Sequence, residues 1–405
     1  MAAALGSPAE ESSQPLEVLM LSHYFEERRG GIELVAAALA RELGALGFPT
    51  VWLACGKGAS ALPYPLRGRE LPAWSHAERW LGIPYPVLRP AAWREVFRAA
   101  QDAQVILVHD ALYTTSIAAC LAARWHRKPL VVVQHIGFVS YRNPLLRSLM
   151  RLANRLIALP VLRCTDHVIF ISDAIMRYFA SVVSAERSSL VFNGVDTRTF
   201  SPPDREDVQC ERQGLNLPPN VPIALFVGRF VDKKGLSVLK CLARARPDIL
   251  FACAGQGERD PVQWGLPNVR VFRSLAGPSL AALYRASDLL LLPSVGEGFP
   301  LVVQEALACG LPVVCGTDSA EADPCAHSLL RPVAVDLSDP EGTARRFLSE
   351  LDYLLAAPTE DSARRKRFEF AAQRYSWAKS AAEYGRILRH SVAKVRSGRQ
   401  FLEVE

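Results

Sequence analysis

The chain predicts an α/β protein made of two doubly wound parallel-sheet domains that face one cleft. Three observations predict it. Short apolar runs alternate with segments of helical period along most of the sequence. The alternation halts after Asn193-Gly194-Val195-Asp196, in a polar stretch holding Pro202, Pro203, Pro218 and Pro219, and restarts at Ile223. Several apolar runs end in glycine-bearing turns, the place where such sheets hold ligands.

Met1 to Pro15 are small and polar, carry Glu10 and Glu11, and are expected to be disordered. They lack the basic start and apolar run of a signal peptide. The first domain is expected over residues 16–200. It opens with a strand at Leu16–Leu21, then the turn Ser22–Gly31, then a helix from Ile32 to about Leu46 that Gly47 stops. Further strands are expected at Thr50–Ala54, Val105–Val108, Leu130–Gln134, His167–Ile171 and Leu190–Phe192. Residues 201–221 read as a linker. The second domain, 222–378, is expected to hold strands at Ile223–Val227, Ile249–Ala254, Val269–Phe272, Leu289–Leu292, Val313–Cys315 and Val333–Val335. From Ala363 to about Val395 the pattern is helical and rich in Arg and Lys.

With 405 residues, half of them apolar, the chain has material for two cores. Nothing approaches the ~18 uninterrupted apolar residues of a membrane span. The nine cysteines are scattered and form no Cys-x-x-Cys pair, so buried free thiols in a reducing compartment are expected, and the protein reads as cytoplasmic. The net charge of +6 is unevenly placed. Between Asp110 and Asp166 there is no acid, yet Arg124, Arg127, Lys128, Arg142, Arg147, Arg151, Arg155 and Arg163 fall there. Aromatic residues are not interleaved with these cations in a stacking pattern, which argues against nucleic acid.

Four constellations at strand ends carry chemistry. Glu297 and Glu305 bracket Gly298-Phe299-Pro300-Leu301-Val302-Val303-Gln304, between an apolar strand and a small-residue helix. The first N–H groups of such a helix attract a phosphate, whereas Glu305, about one turn inside, suits a sugar hydroxyl that donates to it. Gly228-Arg229-Phe230-Val231-Asp232-Lys233-Lys234-Gly235 sets cations around a loop whose glycines allow close backbone approach. Gly30-Gly31 opens the first helix. His135-Ile136-Gly137 closes the strand Leu130–Gln134. Gly255-Gln256-Gly257 lacks the third glycine and spaced acid of a dinucleotide fingerprint.

Together these residues resemble the family 4 glycosyltransferases of the GT-B fold, over nearly the whole chain. The resemblance rests on Gly30-Gly31-x-Glu33, His135-x-Gly137, Val191 to Asp196, Val227-Gly228-Arg229 with Lys234-Gly235, and Ala254 to Gly257. It continues through Pro293-Ser294, Glu297 to Pro300, Glu305 to Val314, and Tyr375-Ser376-Trp377. It implies retaining transfer from a nucleoside-diphosphate sugar, with no metal and no cofactor beyond the donor itself. By resemblance, Arg229 and Lys234 hold the diphosphate, Glu305 accepts from ribose, and Glu297 contacts the donor sugar. Backbone from Phe299 through Pro300 and Leu301 to Val302 meets sugar or phosphate, Gly31 admits the diphosphate, and His135 lies by the reacting carbon. The base rests near Ser274 to Ala276, and residues 379–405 form a helix returning to the first domain. Ser274 stands where glycine is frequent in the family, and Glu258 where proline is.

Arg147, Arg151 and Arg155 recur at four-residue steps, hence on one helical face, with Leu145, Leu149, Leu152, Leu156 and Leu159 on others. An anionic membrane surface is therefore an expected partner beside the nucleotide-sugar donor and a glycan or lipid-linked acceptor, with cell-envelope polysaccharide as the setting and the inner face of the membrane as a peripheral location. The alternatives are a nucleotide-sugar epimerase of the same architecture and a non-catalytic nucleotide-sugar-binding subunit.

Overall fold

The computed structural model describes residues 15–402 apart from 29, 60–61, 63, 76–84, 138–143, 204 and 357–359. The N-terminal stretch expected to be disordered lies almost wholly outside the described residues, as does Arg142.

The first sheet holds β1 (Val18–Tyr24), β2 (Thr50–Cys55), β3 (Leu66–Leu71), β6 (Val105–His109), β7 (Leu130–Gln134), β8 (His167–Phe170) and β9 (Ser188–Leu190). A two-stranded antiparallel ribbon, β4 (Ala73–Trp74) with β5 (Val87–Leu88), stands apart. The spatial order is β3-β2-β1-β6-β7-β8-β9, all parallel. Fully buried runs such as Val-Ile-Leu-Val-His in β6 are what a sheet covered on both faces demands. The second sheet comprises β10 (Ile223–Val227), β11 (Leu250–Ala254), β12 (Val269–Phe272), β13 (Leu289–Leu292), β14 (Val313–Gly316) and β15 (Leu330–Val333). Its order is β12-β11-β10-β13-β14-β15, again parallel. In each sheet the order reverses beside the first strand, between β1 and β6 and between β10 and β13. Those reversals open crevices at the carboxyl ends of the strands.

Each sheet has its own core. The segment expected as a linker is partly helical: Arg205–Gly214 forms a helix and Leu217 joins the second core, as does Phe200 just before it. Arg212 anchors it, donating to the Ala286 carbonyl and to Asp288 at the start of β13. β3 was not expected, because Leu-Arg-Gly-Arg-Glu-Leu is polar; as an edge strand it buries only its two leucines. The last strand lies three residues earlier than expected, at Leu330–Val333.

The basic C-terminal segment is two helices, Asp361–Arg374 and Trp377–Leu402, broken at Tyr375-Ser376. At the break the chain bridges back to Val195, whose N–H donates to the Tyr375 carbonyl at 2.7 Å. Gly194 fits here because a Cβ would lie 2.4 Å from the Trp377 ring. The last helix then buries Tyr384, Ile387, Leu388 and Val392 in the core of the first domain. Of the nine cysteines, Cys55, Cys120, Cys253, Cys309 and Cys315 are buried; Cys164, Cys210 and Cys325 are exposed, contrary to the expectation of buried thiols.

Candidate active site

The loop after β10 is shaped by Gly235. It sits in the left-handed region at φ +74°, and a Cβ there would lie 2.1 Å from the Pro293 carbonyl oxygen. This close approach lets Val295 N–H donate to the Lys233 carbonyl at 3.0 Å, joining the loop to the turn after β13. Lys234 Nζ thereby comes 3.0 Å from Glu297 Oε2, and Lys233 Nζ 3.7 Å from Glu297 Oε1. Burial raises the Glu297 pKa, but Lys234, Lys233 and Arg229 outweigh it and hold the carboxylate below 4.5. Two residues expected to grip different parts of a donor are therefore paired with each other. Lys233, not singled out in sequence, is the third member of this group. Arg229 is exposed, yet its charge lowers both Glu297 and, across the cleft, Glu33.

Glu305 lies on the helix Leu301–Ala308, where Tyr284 Oη donates to its Oε2 at 2.8 Å. Burial pushes its pKa up to about 7, against the lowering effect of that hydrogen bond. Phe299 and Pro300 are buried and Leu301 and Val302 half-buried at the start of this helix. Pro300 has no N–H, so the expected run of amide donors reduces to Phe299, Leu301 and Val302.

From the first domain, His135 follows β7 and is buried. Its Nε2 is 3.0 Å from Nδ1 of His109, the last residue of β6, so one proton lies between the two rings. Burial, then His109 and His23, push His135 well below the imidazole range, and His109 is lowered to about 3. Both rings are neutral at pH 7. His135 can thus exchange hydrogen bonds with a hydroxyl but carries no charge to offer a phosphate. His23, next to last in β1, is stacked on Tyr113 with centroids 3.9 Å apart, and its Nε2 is 3.1 Å from Glu33 Oε1. Asp110 is buried in a left-handed conformation, φ +68°, with Oδ2 unpartnered.

The two halves meet at Gly298, where a Cβ would lie 2.1 Å from the His135 carbonyl oxygen. Asp173 N–H donates to the Ala322 carbonyl at 2.9 Å nearby. His135, Glu297 and Lys234 accordingly share one cleft. Gly31 has no atom within 4 Å of where a Cβ would stand, whereas at Gly30 the Glu33 carboxylate fills that place. Ser274 takes a left-handed conformation, φ +59°, matching the glycine usual there. Sequence reading missed Tyr284, His109, His23 and Asp110. The last three lie at strand ends, which was the signal available for them. Among the described residues no group of three or more His, Cys, Asp or Glu is placed to hold a metal ion.

Two parallel-sheet domains, facing crevices and a closing helix that crosses back define the GT-B architecture. Two family models match the chain, Glycosyltransferase Family 4 over residues 29–199 and Glycosyl transferases group 1 over residues 221–349. The chain belongs to the family 4, group 1 glycosyltransferases. It is similar to the D-inositol 3-phosphate glycosyltransferase of Segniliparus rotundus, 31% identical over 51% of this chain and 47% of that protein. To its Mycolicibacterium smegmatis counterpart it is 32% identical over 58% of each. The chain thus spans about half the length of the curated relatives it matches. In fold it is similar to Anabaena HepE, whose structure holds UDP-glucose, with a TM-score of 0.71 and 19% identity over 93% of this chain and 100% of that one. A glycosyltransferase from Rickettsia africae gives 0.70 and 15%, covering 94% and 99%.

Proposed function

We propose that this protein transfers a sugar from a nucleoside-diphosphate sugar to a glycan or lipid-linked acceptor, with retention and without a metal. The observation that carries the proposal is the Lys234–Glu297 pair, fixed by Gly235 and facing His135 across the cleft. A diphosphate competes with Glu297 for Lys234, and the carboxylate so released accepts from sugar hydroxyls. The exchange conserves charge pairing, and Lys233 and Arg229 supply further positive charge where the leaving diphosphate gains negative charge. Cationic stabilisation aimed at charge that grows in the transition state is what lowers a barrier. Glu305, once ionised, accepts from ribose. His135, neutral, hydrogen-bonds the donor sugar. The retaining outcome and the absence of a metal rest on the family resemblance, and an acceptor site in the first domain fits the open cleft wall at Gly31.

Thermal-shift titration with UDP, GDP and ADP and their hexose conjugates tests the donor half of the proposal. The UDP-glucose bound to Anabaena HepE makes UDP conjugates the first choice, and the relatives' name makes a phosphorylated polyol one acceptor to try. Stabilisation by one nucleoside diphosphate is expected. Lys234→Ala should lose it and turn over at least about tenfold more slowly, about 1.4 kcal/mol of barrier. Donor binding with neither transfer nor epimerisation would instead identify a non-catalytic binder.

A further inference from the structure

The expected basic helix proves to be a single helical rod with a π turn inside it. Pro144–Ala153 is α-helical, Asn154–Ala158 is π, and Leu159–Cys164 is α again, with helical dihedrals throughout and Leu159 N–H donating to the Asn154 carbonyl. The inner side of the rod, Ala158, Val161 and Leu162, enters the core of the first domain.

Its outer side departs from what a solvated helix shows. Leu149, Leu152 and Leu156 are exposed to 48%, 52% and 63%. Apart from Pro160, the exposed positions from 147 to 164 come as neighbouring pairs: Ser148 with Leu149, Arg151 with Leu152, Arg155 with Leu156, and Arg163 with Cys164. Arg147, by contrast, is partly buried, so the expected triad of arginines is not one uniform face. Steps of four residues drift about 40° each in a straight α-helix, roughly 120° from position 151 to 163. The i→i+5 turn takes in one extra residue, about 100°, and nearly cancels that drift. The π turn thus keeps arginines along one edge of the outer side and leucines along the next.

The neighbouring helix, Thr114–His126, extends this surface. Arg124 Nη1 lies 3.7 Å from Cys164 Sγ at the end of the rod, and the adjoining Trp125 is 77% exposed, with Leu121 at 48%. Leucines and a tryptophan beside arginines, in a stretch without a single acid from Asp110 to Asp166, complement an anionic lipid surface. A protein partner would have to supply all the negative charge itself, whereas anionic headgroups offer it to any orientation of the rod. We infer that this face, made of Leu149, Leu152, Leu156, Arg155, Arg163 and Trp125, docks on an anionic bilayer. The arginines meet headgroups while leucines and tryptophan enter the boundary of the acyl region.

The inference does not depend on the transfer reaction, because vesicle binding is read without donor or acceptor. Full-length protein is floated with vesicles of phosphatidylcholine alone, and with vesicles in which phosphatidylglycerol replaces a third of it. Recovery is expected with the anionic vesicles only, and to fall as salt rises. Arg155→Gln with Arg163→Gln should lower partition on the order of twenty-fold, about fivefold per charge. Leu152→Ser with Leu156→Ser, and separately Trp125→Ser, should also release the protein while leaving its thermal melt and nucleotide binding unchanged. Equal recovery in both vesicle types, recovery in neither, or folded variants that bind like the parent would overturn it.

Discussion

Tyr284→Phe removes one hydroxyl in the cleft of the second domain, which donates to Glu305 at 2.8 Å with the Val302 carbonyl as a second, longer acceptor at 3.4 Å. The ring stays packed edge-on to Phe200 at 5.8 Å, and only the hydroxyl that donates to Glu305 is lost. In the native protein the carboxyl titrates at about 7 rather than 4.5, so between those values the folded state holds a proton that the unfolded state has released. Stability therefore falls as pH rises from 4.5 to 7, by roughly 3 kcal/mol for this group alone. Near pH 5 the lost bond is between neutral groups and costs about 1 kcal/mol; near pH 8 it is a bond to a carboxylate, worth about 1.5–3 kcal/mol. The variant's destabilisation should accordingly grow with pH by roughly 0.5–2 kcal/mol, as the carboxyl's midpoint moves upward by about half to one and a half pH units. Urea denaturation at pH 5, 6.5 and 8 measures this. A destabilisation that is constant across the three would refute the assignment of a carboxyl neutral at low pH and ionised at high pH beside Tyr284.

Two further predictions concern backbone. Gly298→Ala places a methyl 2.1 Å from the His135 carbonyl oxygen, so the halves must separate; a loss of about 1–3 kcal/mol in chemical denaturation is expected, together with weaker nucleotide binding. An unaltered melt and affinity would show that the cleft edge yields without cost. Ser274→Gly relieves a left-handed residue and should gain about 0.5–1 kcal/mol, the strain released less glycine's extra unfolded-state freedom. A lower melting temperature would count against strain at that position.

Much of the architecture was legible because buried parallel strands are short runs of Val, Ile, Leu and Ala that little else resembles. Ile223–Val227 and Leu289–Leu292 were placed to the residue for that reason. Edge strand β3, with two arginines and a glutamate in six residues, carries no such mark. The helix at Arg205–Gly214 was hidden by flanking prolines that bound it rather than break it. In the cleft, residue types and strand-end positions were readable, and the pairing of Lys234 with Glu297 was not. It depends on Gly235 meeting Pro293, a contact between loops 58 residues apart that no local pattern encodes. The π turn escaped for a similar reason: leucines at positions 149, 152 and 156 fit an ordinary inward-facing helix until neighbouring elements leave that side uncovered.

The returning C-terminal helix imposes an order on biosynthesis. Tyr384, Ile387, Leu388 and Val392 complete the first core, so residues 16–200 emerge from a ribosome with a hydrophobic face still bare. About 190 residues must follow before that face is closed, a wait of roughly 10–40 s at ordinary elongation rates. During that interval the second sheet, whose core draws on nothing before Leu190, can finish folding ahead of the first. The half that starts first is therefore finished last. A stop codon placed after Tyr375 would spare the second domain and leave the first as an aggregation-prone fragment.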